Sequence, residues 1–455
     1  MRKIYSLLLV LILILTSLFL VPQVSAHAEE IHKFAVKCNE RKNITHTVTD
    51  HNRSKYIKIN EDDILHVTSP QPFAYIYLEW HGRPSPWQMT AERQDVKIEN
   101  EYVHQLIRLS EPVAECSIRP DGDCALARMC LFSEGDLPDW VQDWQPPLEK
   151  ADLLLVPTHA DDDILYMGGV LAVYVGQRGY KAQVAYMTNH WHETPRPHEL
   201  LDALWYLGVT NYPIIGPFMD SYAAKPGLWY AENFYGREAV LEWQVEQLRR
   251  FRPDVVIGHD LNGEYGHGAH CLNAVTLCEA LELSNDPEGC PGSGEQYGLW
   301  DVPKMYLHDF PANRIILDLD EPIDRYGGET GYEAVISAYL LHKSQQYAPF
   351  WPVMDASYED CRLFGLYRST VGRDTGINDM FENIRPDREE NRQPDPREDE
   401  ERPAAVSDTV ISGGDPFAPE HPVDDGKVIV WLGTALLICF IVIMILFISK
   451  VRRRR

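Results

Sequence analysis

The centre of the chain carries the run LLLVPTHADDD, residues 153–163. An apolar segment of strand length ends at His159 and is followed by three carboxylates, Asp161, Asp162 and Asp163. In open α/β sheets, ligands bind just outside the carboxyl ends of the strands, so these side chains are candidates for a metal or acid–base site. The competing interpretation is an acidic helix start, where Asp is favoured as a cap and by the helix dipole. The stretch by itself does not separate the two.

A second polar cluster follows a later apolar run. The predicted strand 253–258 ends at HDLNGEYGHGAH, residues 259–270, in which His267 and His270 are three residues apart. The same spacing separates the His and the second Asp of the first run, and residues i and i+3 share one side of a helical turn. Two His and one carboxylate around an open position form a recurrent catalytic zinc set. The conjunction of two such clusters behind two strands favours a metal site over two ordinary polar helix faces.

The sequence around these clusters predicts an α/β domain at 149–382. From residue 151 onwards, strand-like and helix-like stretches alternate, and this alternation indicates a mostly parallel sheet covered on both faces. The predicted strands are 152–157, 182–188, 212–215 and 254–258, and the predicted helices are 162–176, 198–207, 237–250 and 333–346.

The preceding segment, 27–148, has a different pattern. Short β-branched and aromatic runs separated by turn residues predict a smaller all-β, sandwich-like domain, and a Pro-Pro pair at 146–147 marks the linker. Four tryptophans in this segment have two interpretations, a sugar-stacking face or ordinary core and interdomain residues. They are Trp80, Trp87, Trp140 and Trp144.

The two ends of the chain suggest a membrane protein. Residues 1–26 resemble a secretory signal peptide, and an uncleaved N-terminal anchor is the alternative. Residues 428–449 predict a transmembrane helix before a basic tail, 450–455, which should stay cytoplasmic. The acidic, proline-rich segment 383–425 predicts a disordered stalk. The expected localisation is therefore single-pass type I, with the globular part extracellular.

The formal net charge of −26 argues against a nucleic-acid partner, because phosphate binding needs a basic surface. The terminal segments instead predict the membrane as a partner, and a family resemblance of the sequence motifs implies a carbohydrate or glycoconjugate substrate as the other.

Four segments resemble motifs of the LmbE-like, or phosphatidylinositol-N-acetylglucosamine deacetylase (PIG-L), family. Their order agrees with the family, and together they span roughly 151–346, while neither the β segment nor the stalk is covered. Departures include Ala160 and Asp163, where the family usually has Pro and Glu, and an Asn-His-Trp turn at 189–191. The matching segments are HADDD (159–163), RPHE with Gly208 (196–199), EYGHGAH (264–270) and LHKSQ (341–345).

The resemblance implies a Rossmann-like α/β fold and zinc-dependent hydrolysis of an N-acetyl amide on an amino sugar. A surface ion pair between Arg196 and Glu199 is the alternative interpretation of the second motif. The implied roles are Zn²⁺ ligation by His159, Asp162 and His270, base catalysis by Asp161, polarisation of the carbonyl or stabilisation of the oxyanion by Tyr265 and His267, and sugar binding by Arg196 and Asp220.

The leading prediction is accordingly a membrane-anchored, outward-facing zinc deacetylase acting on N-acetylglucosamine-type residues of a glycan. Two alternatives stay open at this point. One is a related zinc amidase with a non-sugar acyl amide as substrate. The other is a carbohydrate-binding surface protein whose α/β domain is inactive.

Overall fold

The first part of the chain is a β region. The computed structural model describes residues 27–40, 42–92, 94–346, 350–355 and 358–384, which all lie within one compact unit of the chain. Eight strands of this part form one antiparallel sheet with the order β2-β1-β4-β7-β5-β6, while β8 pairs with β4 and β3. The strands are β1 (Ala35–Cys38), β2 (Lys42–Asn43), β3 (Ile57–Ile59), β4 (Leu65–Trp80), β5 (Trp87–Ala91), β6 (Gln94–Ile98), β7 (His104–Pro120) and β8 (Cys124–Phe132), and one short helix, α1, covers Thr45–Val48.

The tryptophans of this region serve mainly as core. Trp80 and Trp87 are fully buried, and both indole N–H groups donate to Gln105 Oε1, at 2.7 and 2.9 Å. Trp144 is buried as well, and only Trp140 keeps a substantial exposed face. The four residues therefore form no shared sugar-stacking face, because burying indole surface against the core stabilises the β region instead.

The second part is an α/β domain around a mixed sheet of seven strands. The sheet order is β11-β10-β9-β12-β13-β15-β14, in which the first five strands run parallel to one another and β15 pairs antiparallel with both β13 and β14. The α/β class is confirmed, whereas a Rossmann-like, mostly parallel sheet is not confirmed as such because the edge beyond β13 runs antiparallel. The strands are β9 (Leu153–Leu155), β10 (Ala182–Asn189), β11 (Ile214–Met219), β12 (Val255–Gly258), β13 (Lys304–His308), β14 (Arg314–Ile316) and β15 (Leu363–Ser369).

The helices cover both faces of this sheet, and two of them differ from the prediction. The predicted helix 162–176 is broken into pieces, since a first helix ends at Leu165 and a second begins at Gly168. The predicted helix 333–346 ends at Tyr339. The helices are α2 (Asp162–Leu165), α3 (Gly168–Val170, continued by a π-helical segment Leu171–Gln177), α4 (Pro195–Tyr206), α5 (Leu228–Ala231), α6 (Arg237–Phe251), α7 (Gly268–Ser284), α8 (Pro291–Tyr297) and α9 (Gly331–Tyr339).

The central strands place the two polar clusters side by side. β9 and β12 are neighbours in parallel register, with Leu153 opposite Val255 and Leu155 opposite Ile257. Both strands are fully buried, as expected for central strands of a sheet covered on both faces. Their carboxyl ends therefore deliver the segments 156–163 and 259–270 to the same edge. The boundary predicted at 148–149 falls between β8 and β9 and stays a prediction.

The predicted single-pass membrane localisation, with the globular part outside the cell, is wrong for the part of the chain that the structure describes. No helix there is both long and apolar enough to cross a bilayer. A span needs about 20 apolar residues, and the longest described helix, α7, has 17. The predicted signal peptide, transmembrane helix and basic tail lie outside the described residues, as does the predicted stalk beyond residue 384.

Candidate metal centre

Three lone-pair donors converge at the edge formed by β9 and β12. His159 Nδ1 lies 3.1 Å from Asp162 Oδ2 and 3.0 Å from His270 Nε2, and the last two atoms are 3.2 Å apart. All three side chains are buried. In a tetrahedral zinc site with bonds of ~2.0–2.1 Å, neighbouring ligand atoms are about 3.3 Å apart. The donor set therefore fits a divalent cation such as Zn²⁺ with an open fourth position.

One buried carboxylate organises the histidines behind this triangle. Glu264 accepts hydrogen bonds from the Nδ1 atoms of His259, His270 and His308, each at 2.8 Å, and from the backbone N–H of Asp260. Burial alone would raise the pKa of Glu264, but the surrounding histidines hold it well below its usual range. An ionised Glu264 fixes the proton of His270 on Nδ1, which leaves Nε2 free to ligate.

The other two histidines around Glu264 are not ligands, because their second nitrogens are engaged. His259 Nε2 accepts the backbone N–H of Thr158 at 3.0 Å, so its lone pair is occupied. His308 Nε2 faces the carbonyl oxygen of Asp360 at 3.1 Å. Since a carbonyl only accepts, His308 must carry a proton on both nitrogens. Burial lowers the pKa of His308, but Glu264 raises it above the ordinary value overall.

Asp220 orients the third ligand. Its Oδ1 lies 3.3 Å from His159 Nε2, and its Oδ2 lies 3.6 Å from His190 Nδ1. His159 can thus donate its Nε2 proton to Asp220 while Nδ1 faces the metal position, the usual arrangement of a carboxylate behind a histidine ligand. His190 Nε2 accepts the backbone N–H of Ala160, so its proton is on Nδ1 and it cannot ligate there. Asp220 thus contacts a candidate metal ligand, and its predicted sugar contact stays a prediction.

Asp161 differs from its neighbour Asp162 in its surroundings. Arg196 Nη2 donates to Asp161 Oδ1 at 2.9 Å and lies 3.4 Å from the carbonyl oxygen of Ala160. Burial raises the pKa of Asp161, and the Arg196 guanidinium opposes that rise. Arg196 therefore lies against the predicted base. Burial also raises the pKa of Asp163 well above its usual range, and this carboxyl lies outside the triangle of candidate ligand atoms.

His267 and Tyr265 close the other side of the site. The ring of His267 lies 4.8 Å from that of His159 and 4.5 Å from that of His270. His267 Nδ1 accepts the backbone N–H of Ala269 at the start of α7, which leaves the proton on Nε2. Burial lowers the pKa of His267 to about 2, so its ring is a neutral donor. Tyr265 is half-exposed and has a left-handed backbone with φ of 45°, held by a hydrogen bond from its N–H to Glu359.

The remaining motif residues support α4 from behind. Glu199 accepts from the backbone N–H of Ser344 at 2.9 Å and from its hydroxyl at 2.5 Å. Glu199 is thus buried and hydrogen-bonded to the 343–345 turn. It does not form the alternative surface ion pair with Arg196. His342 is fully buried, and burial lowers its pKa to about 3.

The sequence analysis assigned no role to Glu264, His259 or His308. Glu264 could have been noticed as an acidic residue inside the second motif, and His308 as a histidine ending a strand. The contact between Glu264 and His308 joins residues that are 44 positions apart, and no local sequence pattern predicts it.

A second buried cluster, made of Glu79, His104 and His198, has metal-like composition. Glu79 is already held by Arg53 at 2.7 Å and by Arg128 at 3.2 Å. Two guanidinium groups beside the carboxylate repel a cation, so this cluster is an ion-pair network.

Comparison with known proteins agrees with the geometry. Residues 154–281 match the family model described as PIG-L: GlcNAc-PI de-N-acetylase. This segment is a PIG-L domain. The PIG-L segment contains His159, Asp162, Glu264 and His270, and thus the whole ligand triangle.

Two curated relatives carry deacetylase names. A 1D-myo-inositol 2-acetamido-2-deoxy-alpha-D-glucopyranoside deacetylase 1 from Catenulispora acidiphila is 26% identical over 218 residues, covering 42% of this chain and 65% of the relative. A deacetylase 2 of the same description from Saccharopolyspora erythraea is 30% identical over 183 residues, covering 35% of this chain and 66% of the relative. The chain thus spans slightly less than two thirds of the length of these relatives.

Among solved structures, an N,N'-diacetylchitobiose deacetylase from Pyrococcus horikoshii is similar at a TM-score of 0.35 and 22% identity, covering 46% of this chain and 76% of that one. At that TM-score the likeness carries no argument about the function of this chain.

Proposed function

We propose that the chain is a metal-dependent N-deacetylase that removes the acetyl group from N-acetylglucosamine-type residues. The observation that carries the proposal is the triangle of His159 Nδ1, Asp162 Oδ2 and His270 Nε2, with edges of 3.0–3.2 Å. The PIG-L match over 154–281 and the names of the curated relatives support the amino-sugar amide as the substrate class.

His159, Asp162 and His270 would hold the metal. A bound Zn²⁺ would supply a Lewis acid for the acetyl carbonyl and would lower the pKa of a water molecule towards ~7. The chain's own contribution begins with ligand orientation, because Asp220 and Glu264 fix the protons of His159 and His270 on the outward nitrogens.

Asp161 is the general base of the proposed reaction. It accepts a proton from the attacking water while the water oxygen bonds to the acetyl carbon, and it later returns that proton to the amine as the carbon–nitrogen bond breaks. Acetate and a free amino sugar result. The bond from Arg196 at 2.9 Å holds the carboxylate in one orientation, and the guanidinium charge opposes the rise in pKa that burial causes.

His267 and Tyr265 stabilise the oxyanion of the tetrahedral intermediate. The neutral His267 ring, with Nδ1 occupied by the Ala269 N–H, offers its Nε2 proton to negative charge without being consumed as an acid. A positioned donor of this kind commonly contributes ~10²–10³ in rate.

Two measurements on the full chain test the proposal. Metal analysis after purification should find a divalent ion, and acetate release should be detected from N-acetylglucosamine compounds and should stop with a chelator. Substoichiometric metal with intact sugar binding would support the inactive binder instead. Release confined to non-sugar acyl amides would support the related amidase.

A further inference from the structure

An unusual number of aromatic side chains are exposed on the segment between β11 and α6. Tyr222 is 82% exposed, Trp229 65% and Tyr230 50%, and Phe234 is also among the exposed large side chains. Aromatic residues normally bury their rings, and a contiguous exposed apolar surface marks a binding site more often than chance. These residues have no part in the proposed chemistry.

This aromatic segment is fixed to the metal centre. Its first residue after β11 is Asp220, which contacts His159. Farther along, the carbonyl oxygen of Lys225 accepts the backbone N–H of Gly268, the first residue of α7. The segment is thereby hydrogen-bonded to the helix that carries His270, and its position relative to the reacting centre is set by the backbone.

A row of side chains leads outward from the centre. The ring of Tyr265 lies 5.6 Å from that of His270. Lys225 Nζ then lies 5.5 Å from the centre of the Tyr265 ring and 5.3 Å from that of Tyr222. On the helix that follows in the same segment, α5, Trp229 and Tyr230 contact each other edge to face at 4.9 Å. These five residues, Tyr265, Lys225, Tyr222, Trp229 and Tyr230, are called the row. They combine four flat aromatic rings with one ammonium group that can donate hydrogen bonds.

The chemistry of this row suits a chain of sugars. Pyranose rings have apolar faces that cover aromatic rings, and their hydroxyl and acetamido oxygens accept from an ammonium group. An anionic membrane surface is the competing occupant for exposed aromatic residues. A protein with a formal net charge of −26 is repelled by that surface, whereas an uncharged glycan is indifferent to the charge.

We propose that this row forms subsites for additional sugar residues, so that the protein acts within or at the end of an N-acetylglucosamine oligosaccharide rather than on a single sugar. This inference rests on the proposed deacetylase function and specifies its substrate class. The reacting residue lies at the metal centre, and neighbouring residues of the same chain lie on Tyr222 and Trp229.

Chain-length dependence of binding is the test. Calorimetric titration of the full chain in EDTA with N-acetylglucosamine and with tetra-N-acetylchitotetraose separates binding from catalysis. We expect the tetramer to bind at least roughly tenfold more tightly, since each ring covered by an aromatic face adds on the order of 1 kcal/mol. Trp229→Ala and Tyr222→Ala should each remove most of that gain and leave monosaccharide binding unchanged.

Ile377→Ala is the matched control, because Ile377 is also 65% exposed but belongs to the segment after β15. It should bind both sugars as the wild type does. Equal affinity for monomer and tetramer, or unchanged tetramer affinity in both aromatic variants, would overturn the inference. Binding to vesicles of phosphatidylcholine and phosphatidylserine tests the competing occupant, a membrane surface. If Trp229→Ala loses vesicle binding but keeps its affinity for the tetramer, the row binds lipid instead of sugar.

A different result would show that the proposed deacetylase function is wrong. In that case the metal-loaded protein releases no acetate from any sugar, while the binding measurements in EDTA still decide whether the subsites exist.

Discussion

Asp161 and Asp162 are adjacent and chemically alike, yet their contacts separate their roles. Asp162 Oδ2 faces two histidine nitrogens within 3.2 Å, whereas Asp161 faces the guanidinium of Arg196. We expect Asp162→Ala to lose metal and, with it, activity. We expect Asp161→Asn to keep the metal and to lose about 10²–10⁴ in kcat, the usual contribution of a general base.

The measurement is metal content and acetate release on the same preparations of both variants. Near-normal turnover in Asp161→Asn would exclude this residue as the base. Full metal occupancy in Asp162→Ala would remove it from the ligand set.

A second prediction concerns the buried carboxylate of Glu264. In Glu264→Gln one carboxylate oxygen becomes an NH₂ group, which faces N–H donors and leaves some of them unpaired. Losing such a partner behind a ligand typically costs 10–100-fold in metal affinity, and the unpaired buried donors cost about 1–3 kcal/mol of stability. Competition with a chromophoric chelator measures the first effect, and thermal unfolding measures the second.

Glu279→Gln is the control, because Glu279 lies on the same helix, α7, but pairs with Arg237 at the surface. It should leave metal affinity unchanged. A Glu264→Gln protein with wild-type metal affinity would show that the histidines are oriented without this carboxylate.

The sequence could indicate that His159, Asp162 and His270 come together, because each follows a strand at a short distance, and their role as ligands stays a prediction. It could not predict what Arg196 and Asp220 contact, since a side chain's partner depends on how distant segments pack. Both pair with residues of the centre, and their predicted sugar contacts stay predictions. The protonation of His308 is likewise set by a carbonyl 52 residues away.

At the scale of elements, a bulge between β10 and β11 determines where Asp220 lies. Tyr186 pairs with Ile215 and Thr188 with Phe218, so β11 contains one extra residue across this interval. An inserted residue reverses the faces of the side chains that follow. The side chain of Asn189 donates to the carbonyl oxygen of Gly216 at 3.2 Å and so holds the bulge. The bulge therefore aims the side chains after β11 towards the metal centre.

Gly216 permits this bulge through close backbone contact. A Cβ at this position would lie 2.0 Å from the carbonyl oxygen of Met187. We expect Gly216→Ala to lower the free energy of unfolding by about 1–3 kcal/mol, as overpacking does, and to reduce activity because Asp220 moves. Urea unfolding and acetate release measure the two effects.

Gly292→Ala is the control, since a Cβ at Gly292 meets nothing within 4 Å. Its stability should match the wild type within about 0.5 kcal/mol. If Gly216→Ala is equally stable and active, the bulge does not depend on this glycine.

Element positions were largely predictable from the alternation of apolar runs, and the strands 182–189 and 255–258 agree with their predictions within one residue. The break in the predicted helix 162–176, between Leu165 and Gly168, was not predictable from the apolar pattern, which continues through it. Local propensity favours one continuous helix there, and tertiary packing overrides it.

At the scale of the whole molecule, the β region is joined to the α/β domain by a buried hydrogen-bond chain. His104 Nδ1 bonds to Gln142 Oε1 at 2.6 Å, and His104 Nε2 lies 2.8 Å from His198 Nδ1. Gln142 in turn donates to Asp202, which also pairs with Arg53. His198 and Asp202 are one turn apart on α4, the helix that carries Arg196 in its first turn. The β region thus supports the helix that holds the proposed base.

The buried contact between His104 and His198 predicts that the interface between the β region and the α/β domain loses stability in acid. Burial lowers the pKa of His104, and burial together with His104 lowers that of His198. A folded pKa below the unfolded value of ~6.5 means that the unfolded state binds more protons as pH falls. Stability is therefore fully present above about pH 6.5 and is lost below it, by about 1.4 kcal/mol per pH unit for each histidine.

We expect His198→Gln to remove one such proton, so that the slope of unfolding free energy against pH between 5 and 6 falls by about 1.4 kcal/mol per unit. Urea unfolding at several pH values measures the slope. Between pH 7.5 and 8.5, where neither histidine takes up protons, the variant and the wild type should have parallel curves, which is the internal control. If unfolding free energy changes with pH equally in the variant and the wild type below pH 6, this result would contradict a neutral, buried pair of His104 and His198.

The charges around the candidate metal centre can be balanced by protons or by an ion. Arg196 offsets Asp161, and doubly protonated His308 offsets Glu264. Asp162 and Asp220 remain, and although burial opposes ionisation, the neighbouring histidines hold the pKa of both below the usual range. Burial opposes protonation of His159 and His270, but Asp162 and the other carboxylates raise the pKa of His159 to about 9 and that of His270 to about 10, so in the absence of an ion two protons supply the countercharge. A divalent cation in the triangle would replace these two protons, so we expect metal affinity to fall as the pH is lowered.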